Sequence, residues 1–170
     1  MVQKQEIIDA SRKYFDEHFG RSEFVPGETY IPPSGKLLDA DDCAHLIDAS
    51  LDMWLTSGRY AAQFESSLAR KFGRKIAKLT VSGSAANLLA FTTLTSWKLG
   101  KHRIKPGDEV ITVAAGFPTT VAPIIQNGCV PVFIDIDLKT HNVVVEDIEN
   151  AITDKTAAIM IAHSLGNPFD

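Results

Sequence analysis

The sequence predicts an α/β fold with a mostly parallel sheet flanked by helices. From Lys75 onward, short apolar runs alternate with segments of helical spacing, the pattern of successive strand–helix units. The runs EVITVA (109–114), VPVFID (130–135) and AAIMIA (157–162) are apolar on consecutive positions, as in strands covered on both faces. The start of the chain reads differently, as helices joined by a proline-rich connector. Residues 1–57 are therefore expected to form a helical extension and linker, and residues 58–170 the α/β domain.

A first helix is expected over Val2–Phe19, where Ile7, Ile8, Tyr14, Phe15 and Phe19 recur at helical spacing and Gly20 can close it. Phe24–Lys36 holds three prolines and two glycines. Proline lacks an N–H and fixes φ, so this stretch is a connector. Asp39 can cap a second helix running to about Leu55, with Leu46, Ile47, Leu51 and Trp54 on one face. A break at Thr56-Ser57-Gly58 precedes a third helix, Tyr60–Phe72, which Gly73 ends. Strands are then expected at Ile76–Val81, Glu109–Ala114, Val130–Ile136 and Ala157–Ala162. Helices are expected between them at Ser84–Leu99, Thr119–Asn127 and Val145–Ile152. A sheet that stops near Ala162 would leave long apolar edges and faces uncovered. The sequence is therefore expected to continue past Asp170 in a longer protein.

Composition narrows the function classes. Apolar residues make up 45% of 170, enough for a sizeable core, and the net charge of −4 comes from interspersed acids and bases. No basic stripe suits nucleic acid, and no Lys/Arg-rich run suits a membrane surface. The N-terminus lacks an apolar signal core, and no apolar run nears the roughly 20 residues that span a bilayer. Cys43 and Cys129 stand far apart with no metal-like spacing, which fits a reduced, cytoplasmic protein.

Four places could carry chemistry. Ser82-Gly83-Ser84-Ala85-Ala86-Asn87 sits at a strand–helix junction, where unpaired N–H groups and the helix dipole favour an anion such as phosphate. An ordinary helix cap in a tight βα turn has the same appearance. Phe117 follows the Glu109–Ala114 strand; at a strand's carboxyl end an aromatic can stack on a flat ring, or simply pack in the core. His163 ends the last strand, where it can meet a ligand or hydrogen-bond a neighbouring loop. Arg59 opens the third helix and can clamp an anionic substrate group or lie solvated on the surface. Asp135 and Asp137 read as turn caps. No metal pattern is read, since the histidines are scattered along the chain.

The order of motifs carries more than any one of them. G-R-Y-x-x-x-F-E (58–65) is followed by S-G-S-A-A-N (82–87), P-G-D-E-V-I-T (106–112) and G-F-P-T-T (116–120). Then come V-P-V-F-I-D-I-D (130–137), I-E-x-A-I-T-x-K-T-A-A-I (148–159) and H-S-L-G-N-P-F-D (163–170). In this order the chain resembles the DegT/DnrJ/EryC1/StrS family of sugar aminotransferases and dehydrases over nearly its whole length. Y-I-P-P-S-G-K (30–36), A-A-G-F-P-T-T-V (114–121) and L-G-N-P-F-D (165–170) resemble the family's 3-dehydrases of lipopolysaccharide-type 3,6-dideoxysugar synthesis.

The resemblance implies the N-terminal part of a fold type I large domain, that of the pyridoxal-phosphate-dependent transferases. It implies a cofactor phosphate held by Gly83, Ser84 and Ala85, a ring stacked on Phe117, and Arg59 and His163 near the substrate. It also implies that pyridoxamine phosphate acts on a CDP-linked 4-keto-6-deoxyhexose, with loss of the 3-hydroxyl. A two-iron two-sulfur cluster and an NAD(P)H-dependent reductase partner would complete the deoxygenation, in a homodimer. The catalytic residues and cluster ligands would lie beyond Asp170, with no metal ligand among residues 1–170. The alternatives on the same residues are a pyridoxal-phosphate-dependent nucleotide-sugar aminotransferase and a non-catalytic fragment.

Overall fold

The computed structural model describes residues 1–20, 23–32 and 34–170. Pro33, within the expected connector, lies outside the described residues. The chain forms two compact units, Met1–Leu79 and Thr80–Asp170.

The first unit is helical. Helix α1 (Lys4–Phe19) opens with the Glu6 carboxylate accepting the Gln3 N–H at 3.1 Å. Helix α2 (Ala40–Leu51) is capped as expected: Asp39 accepts the Asp42 N–H, and Asp42 returns the bond to Asp39, each at 3.0 Å. It stops at Leu51, short of the expected Leu55, because Met53 adopts a left-handed φ of 51° that no helix can contain. Helix α1 packs on α2, with Ile8 and Ala44 their buried residues. The stripe expected to be buried on α2 is largely exposed at Leu46 and Trp54. Helix α3 (Arg59–Lys71) ends where Gly73 turns left-handed. Residues after 58 stay with this unit through polar ties: Arg59 and Tyr60 bond Asp48, and Glu65 holds Lys78 and the Leu79 N–H.

The strand expected at Ile76–Val81 does not form. Ile76, Leu79 and Val81 are 72%, 54% and 98% exposed. A strand is stabilised by its ladder. The Leu79 N–H goes to the Glu65 carboxylate instead, at 2.9 Å.

The second unit is built on a parallel sheet of three strands, β1 (Glu109–Val113), β2 (Val130–Ile134) and β3 (Thr156–Ile159), in the order β2-β1-β3. Helix α4 (Gly83–Thr93) precedes it, α5 (Pro118–Gln126) joins β1 to β2, and α6 (Val145–Ala151) joins β2 to β3. Helix α4 is shorter than the Ser84–Leu99 expected. The Thr93 and Thr95 hydroxyls bond the Leu89 and Thr92 carbonyls, and the chain continues as a 3-10 turn (Trp97–His102) broken by Gly100 at φ +56°.

Central strand β1 is buried on both sides, as its apolar run predicts. Side chains alternate across a strand. Val110 joins Phe91, Ile104, Ile124 and Cys129 in one core, while Ile111 and Val113 join Ile134 and Val143 in the other, with Ile148 packed against them. Helices α4 and α5 thus cover one face and α6 the other. At the amino end of the sheet Gly128, at φ +73°, brings its backbone against Pro106, where an added Cβ would stand 3.1 Å from the proline's own Cβ. No helix among the described residues is long and apolar enough to cross a membrane.

Candidate functional site

The chain leaves β1 toward β2 over one face and returns from β2 to β3 over the other. Between β1 and β3 the connections therefore diverge, and such a point opens a crevice at the carboxyl ends of the strands. A cavity of about 430 Å³ lies there, its walls including Val113, Phe117, Thr120, Ile136, His141 and His163.

Phe117 is not a core residue. It is 69% exposed, in the position before Pro118, which opens α5. Proline at the first helical position fits the helix and needs no N–H. The break forced by G-F-P thus leaves an aromatic ring standing at the mouth of the cavity.

The Ser82–Asn87 segment is the start of α4. Ser82 caps it, its Oγ accepting the Ala85 N–H at 3.1 Å, and the Ala86 N–H bonds the Ser82 carbonyl at 3.0 Å. Among the described residues nothing bonds the N–H groups of Gly83 and Ser84 or the Ser84 hydroxyl. A Cβ on Gly83 would meet nothing within 4 Å, so the backbone there is open to an incoming group. This donor set fits a phosphate: two free amides and a hydroxyl at the positive end of an 11-residue helix. The Ala85 amide is already satisfied by Ser82, which would have to turn aside before Ala85 could join in.

One sequence detail ties this helix start to Phe117. Pro123 lies inside α5 and cannot donate to the Thr119 carbonyl four residues earlier. Asn87 of α4 supplies a donor to that carbonyl at 3.4 Å. Ser84, Ala85 and Thr119 line a smaller cleft of about 190 Å³, while Phe117 and Thr120 line the larger cavity. The first turn of α5 therefore borders both. Beneath it on β1, the Thr112 hydroxyl is fully buried and has no partner among the described residues.

His163 lines the cavity and is oriented from behind: its Nδ1 accepts the Phe169 N–H at 3.3 Å, and the two rings lie 4.3 Å apart. Two neighbours had no signal in the sequence. His141, with a left-handed φ of 56°, lines the same cavity, and Asn142 is buried beside it. They lie there because Asp137 turns the chain, accepting the Lys139 and Thr140 N–H groups at 2.9 and 2.8 Å, so that Val143 can pair with Ile136. Those same N–H groups hold the Asp137 carboxyl below its ordinary range. Among the described residues the Asp135 carboxylate accepts only the N–H of the next residue, Ile136.

Arg59 belongs to the first unit. Its guanidinium pairs with Asp52 at 2.8 Å and with Asp48, and lies 4.3 Å from the centre of the Tyr60 ring. Hydrogen bonds to these carboxylates drive its pKa further above the usual arginine value. An anionic group would meet a guanidinium already neutralised. Cys43 is half-buried and Cys129 buried, and burial pushes the Cys129 thiol up. Among the described residues no group of three or more His, Cys, Asp or Glu could hold a metal ion.

The profile of the DegT/DnrJ/EryC1/StrS aminotransferase family matches residues 37–170. The chain is 51% identical over 98% of its length to the lipopolysaccharide biosynthesis protein RfbH of Salmonella typhimurium, of which it covers 38%. It is also 51% identical over 98% of its length to a dTDP-4-dehydro-2,6-dideoxy-D-glucose 3-dehydratase of Saccharopolyspora spinosa, covering 36% of it. A crystal structure of GDP-4-keto-6-deoxymannose-3-dehydratase with a trapped PLP–glutamate geminal diamine superposes with a TM-score of 0.67. Identity there is 36%, over 76% of this chain and 33% of that one. The chain thus spans little more than a third of the curated relatives it matches.

Proposed function

The chain belongs to the DegT/DnrJ/EryC1/StrS aminotransferase family, with the fold of the type I pyridoxal-phosphate enzymes, and on that premise we propose that it holds the cofactor in an enzyme of nucleotide-sugar modification. The reaction proposed is the 3-dehydration of a 4-keto-6-deoxyhexose, in a CDP-6-deoxy-L-threo-D-glycero-4-hexulose-3-dehydrase of O-antigen 3,6-dideoxysugar synthesis. The observation that carries the cofactor is the pair of free amides at Gly83 and Ser84 on the helix that Asn87 ties to the first turn of α5, next to Phe117. The choice of 3-dehydration rests on relatives named 3-dehydratases. Those relatives act on dTDP- and GDP-linked sugars by name, so CDP rests on the motif resemblance alone.

In this reading Gly83, Ser84 and Ala85 hold the cofactor phosphate and Phe117 stacks on its ring. Bound there, pyridoxamine or pyridoxal phosphate supplies an electron sink for proton removal beside the sugar carbonyl. The helix amides place charge without reorganisation, and the Phe117 face keeps water off one side of the ring. His163 contributes a substrate contact; the same role for Arg59 rests on the motif resemblance alone, since its guanidinium is engaged by Asp48 and Asp52, and the acid–base groups come from outside residues 1–170. Residues 1–57 serve as an extension and 58–170 as part of the large domain of a homodimer. This chain's two cysteines do not fit as the ligand set of a two-iron two-sulfur cluster, which takes four ligands, and among the described residues neither stands in a group of three or more His, Cys, Asp or Glu. The cluster and its reductase partner belong to the full-length protein, and no step here depends on them.

The test is titration of the full-length protein with pyridoxal phosphate and pyridoxamine phosphate. Ser84→Ala removes a hydrogen bond to a charged group and should weaken binding about tenfold or more. Phe117→Ala removes a stacked ring and should weaken it about threefold to tenfold. Unchanged affinity in both variants refutes the site. Assay of the wild type with a nucleotide-linked 4-keto sugar then tests the chemistry. An amino sugar as product would replace the dehydrase with an aminotransferase.

A further inference from the structure

The segment carrying His163 is fastened by one buried side chain. Asn142 is 3% exposed. Its Nδ2 donates to the Asn167 carbonyl at 2.7 Å, and its Oδ1 accepts the Ser164 N–H at 3.0 Å. Asn167 returns a bond from its own Nδ2 to the Thr140 carbonyl at 3.2 Å. Two amides thus stitch residues 164–167 to the turn that begins at Asp137. The turn is itself set: Asp137 donates its N–H to the Asn142 carbonyl at 2.9 Å, and His141 bends the chain with its left-handed φ. A buried amide with both ends engaged is costly to disturb, because either partner left behind is a desolvated, unpaired group.

A separate contact just beyond this segment shows which nitrogen of His163 accepts a hydrogen bond. A backbone N–H can only donate, so the Phe169 N–H marks Nδ1 as the acceptor nitrogen. The neutral imidazole then carries its proton on Nε2, on a ring that lines the cavity. We infer that Asn142 is a positioning residue for His163: by clamping the 164–167 segment it keeps the imidazole in the Nε2–H tautomer, a donor for an oxygen acceptor of a ligand in the cavity. This rests on the reading of the cavity as the cofactor and substrate site.

The experiment uses the full-length protein without added ligand, deuterated and labelled with ¹⁵N in its histidine rings, at a pH where imidazole is neutral. The His163 signals are identified by their loss in His163→Ala. In the wild type Nδ1 should show the shift of an unprotonated nitrogen and Nε2 that of a protonated one. In Asn142→Ala the two shifts should move toward each other as the tautomers mix. Exchange of the Ser164 amide should rise about tenfold, the loss of roughly one net hydrogen bond. Asn167→Ala should move both readouts the same way by less, and it decides the matter if Asn142→Ala does not fold.

A wild-type His163 with its proton on Nδ1 overturns the inference. So does an Asn142→Ala protein with wild-type His163 shifts and wild-type Ser164 exchange. Pyridoxal phosphate titration of Ser84→Ala and Phe117→Ala separates this from the functional reading. If those affinities are unchanged while the His163 tautomers mix in Asn142→Ala, the positioning stands and the cofactor site falls.

Discussion

Thr112→Val should make the protein more stable. Thr112 lies one position before the end of β1, fully buried, and its Oγ1 has no hydrogen-bond partner among the described residues. By alternation along the strand its side chain faces the same way as Val110, toward the core that Phe91 and Ile124 build from α4 and α5. A hydroxyl taken out of water without a partner costs about 1–3 kcal/mol. Valine keeps the branched shape and removes that cost, and its extra methyl adds contacts in a dry place. Crowding by the slightly larger methyl takes some of this back. The net expectation is a gain of about 1 kcal/mol. Urea unfolding followed by tryptophan fluorescence would read it as a higher midpoint with an unchanged slope. Stability lowered by about 1 kcal/mol or more would refute the reasoning, because it would mean that the hydroxyl is paired in the folded protein.

Two further outcomes follow from single contacts. Asn87→Ala should cost about 1 kcal/mol, since it strips the Thr119 carbonyl of the donor that stands in for the missing Pro123 N–H; it should also weaken pyridoxal phosphate binding, and wild-type affinity would show that α4 and α5 need no such tie. The first unit should lose stability in acid. Asp48 and Asp52 are held below the ordinary aspartate value of 3.8, Asp48 chiefly by Lys4 and Asp52 chiefly by Arg59. Because their folded-state pKa values are depressed, their contribution is full above 3.8 and is lost as pH falls below it. Helical circular dichroism through an acid titration should show this, and Asp48→Asn should flatten the loss; an equally steep loss in that variant would place the effect elsewhere.

What the sequence made legible was local. The Asp39 cap, the Gly73 stop and the start of α4 each depend on residues within one turn of each other, and each formed where expected. Phe117 was legible as a position because Gly116 and Pro118 punctuate it, although nothing local could say that the ring would stay exposed. What stayed hidden was through-space pairing. Arg59 reads as a free cation until α2 brings Asp48 and Asp52 beside it. Asn142 carries no pattern at all, because its partners lie more than 20 residues on. Ile76–Val81 has strand composition, but composition cannot supply a ladder partner.

The two ends of the sheet differ in a way that bears on function. At the amino end the turns close on themselves: the Gly107 N–H meets the Gly128 carbonyl, Asp108 accepts the Lys105 N–H, and the Val130 N–H meets the Asp108 carbonyl. At the carboxyl end the same accounting leaves loose ends. Among the described residues nothing bonds the Gly83 and Ser84 amides or the buried Thr112 hydroxyl, a carbonyl in α5 takes its donor from another helix, and His141 holds a left-handed φ. The buried hydroxyl and the left-handed His141 cost stability locally, whereas the exposed Gly83 and Ser84 amides are open to water or to a ligand. They border two neighbouring clefts at the end of the sheet where the connections diverge, and on the proposed reading a ligand would engage them. Phosphate oxygens would take the free amides, and a ring would cover Phe117. The proposed site is thus marked less by what its residues do to each other than by the hydrogen bonds they leave unmade.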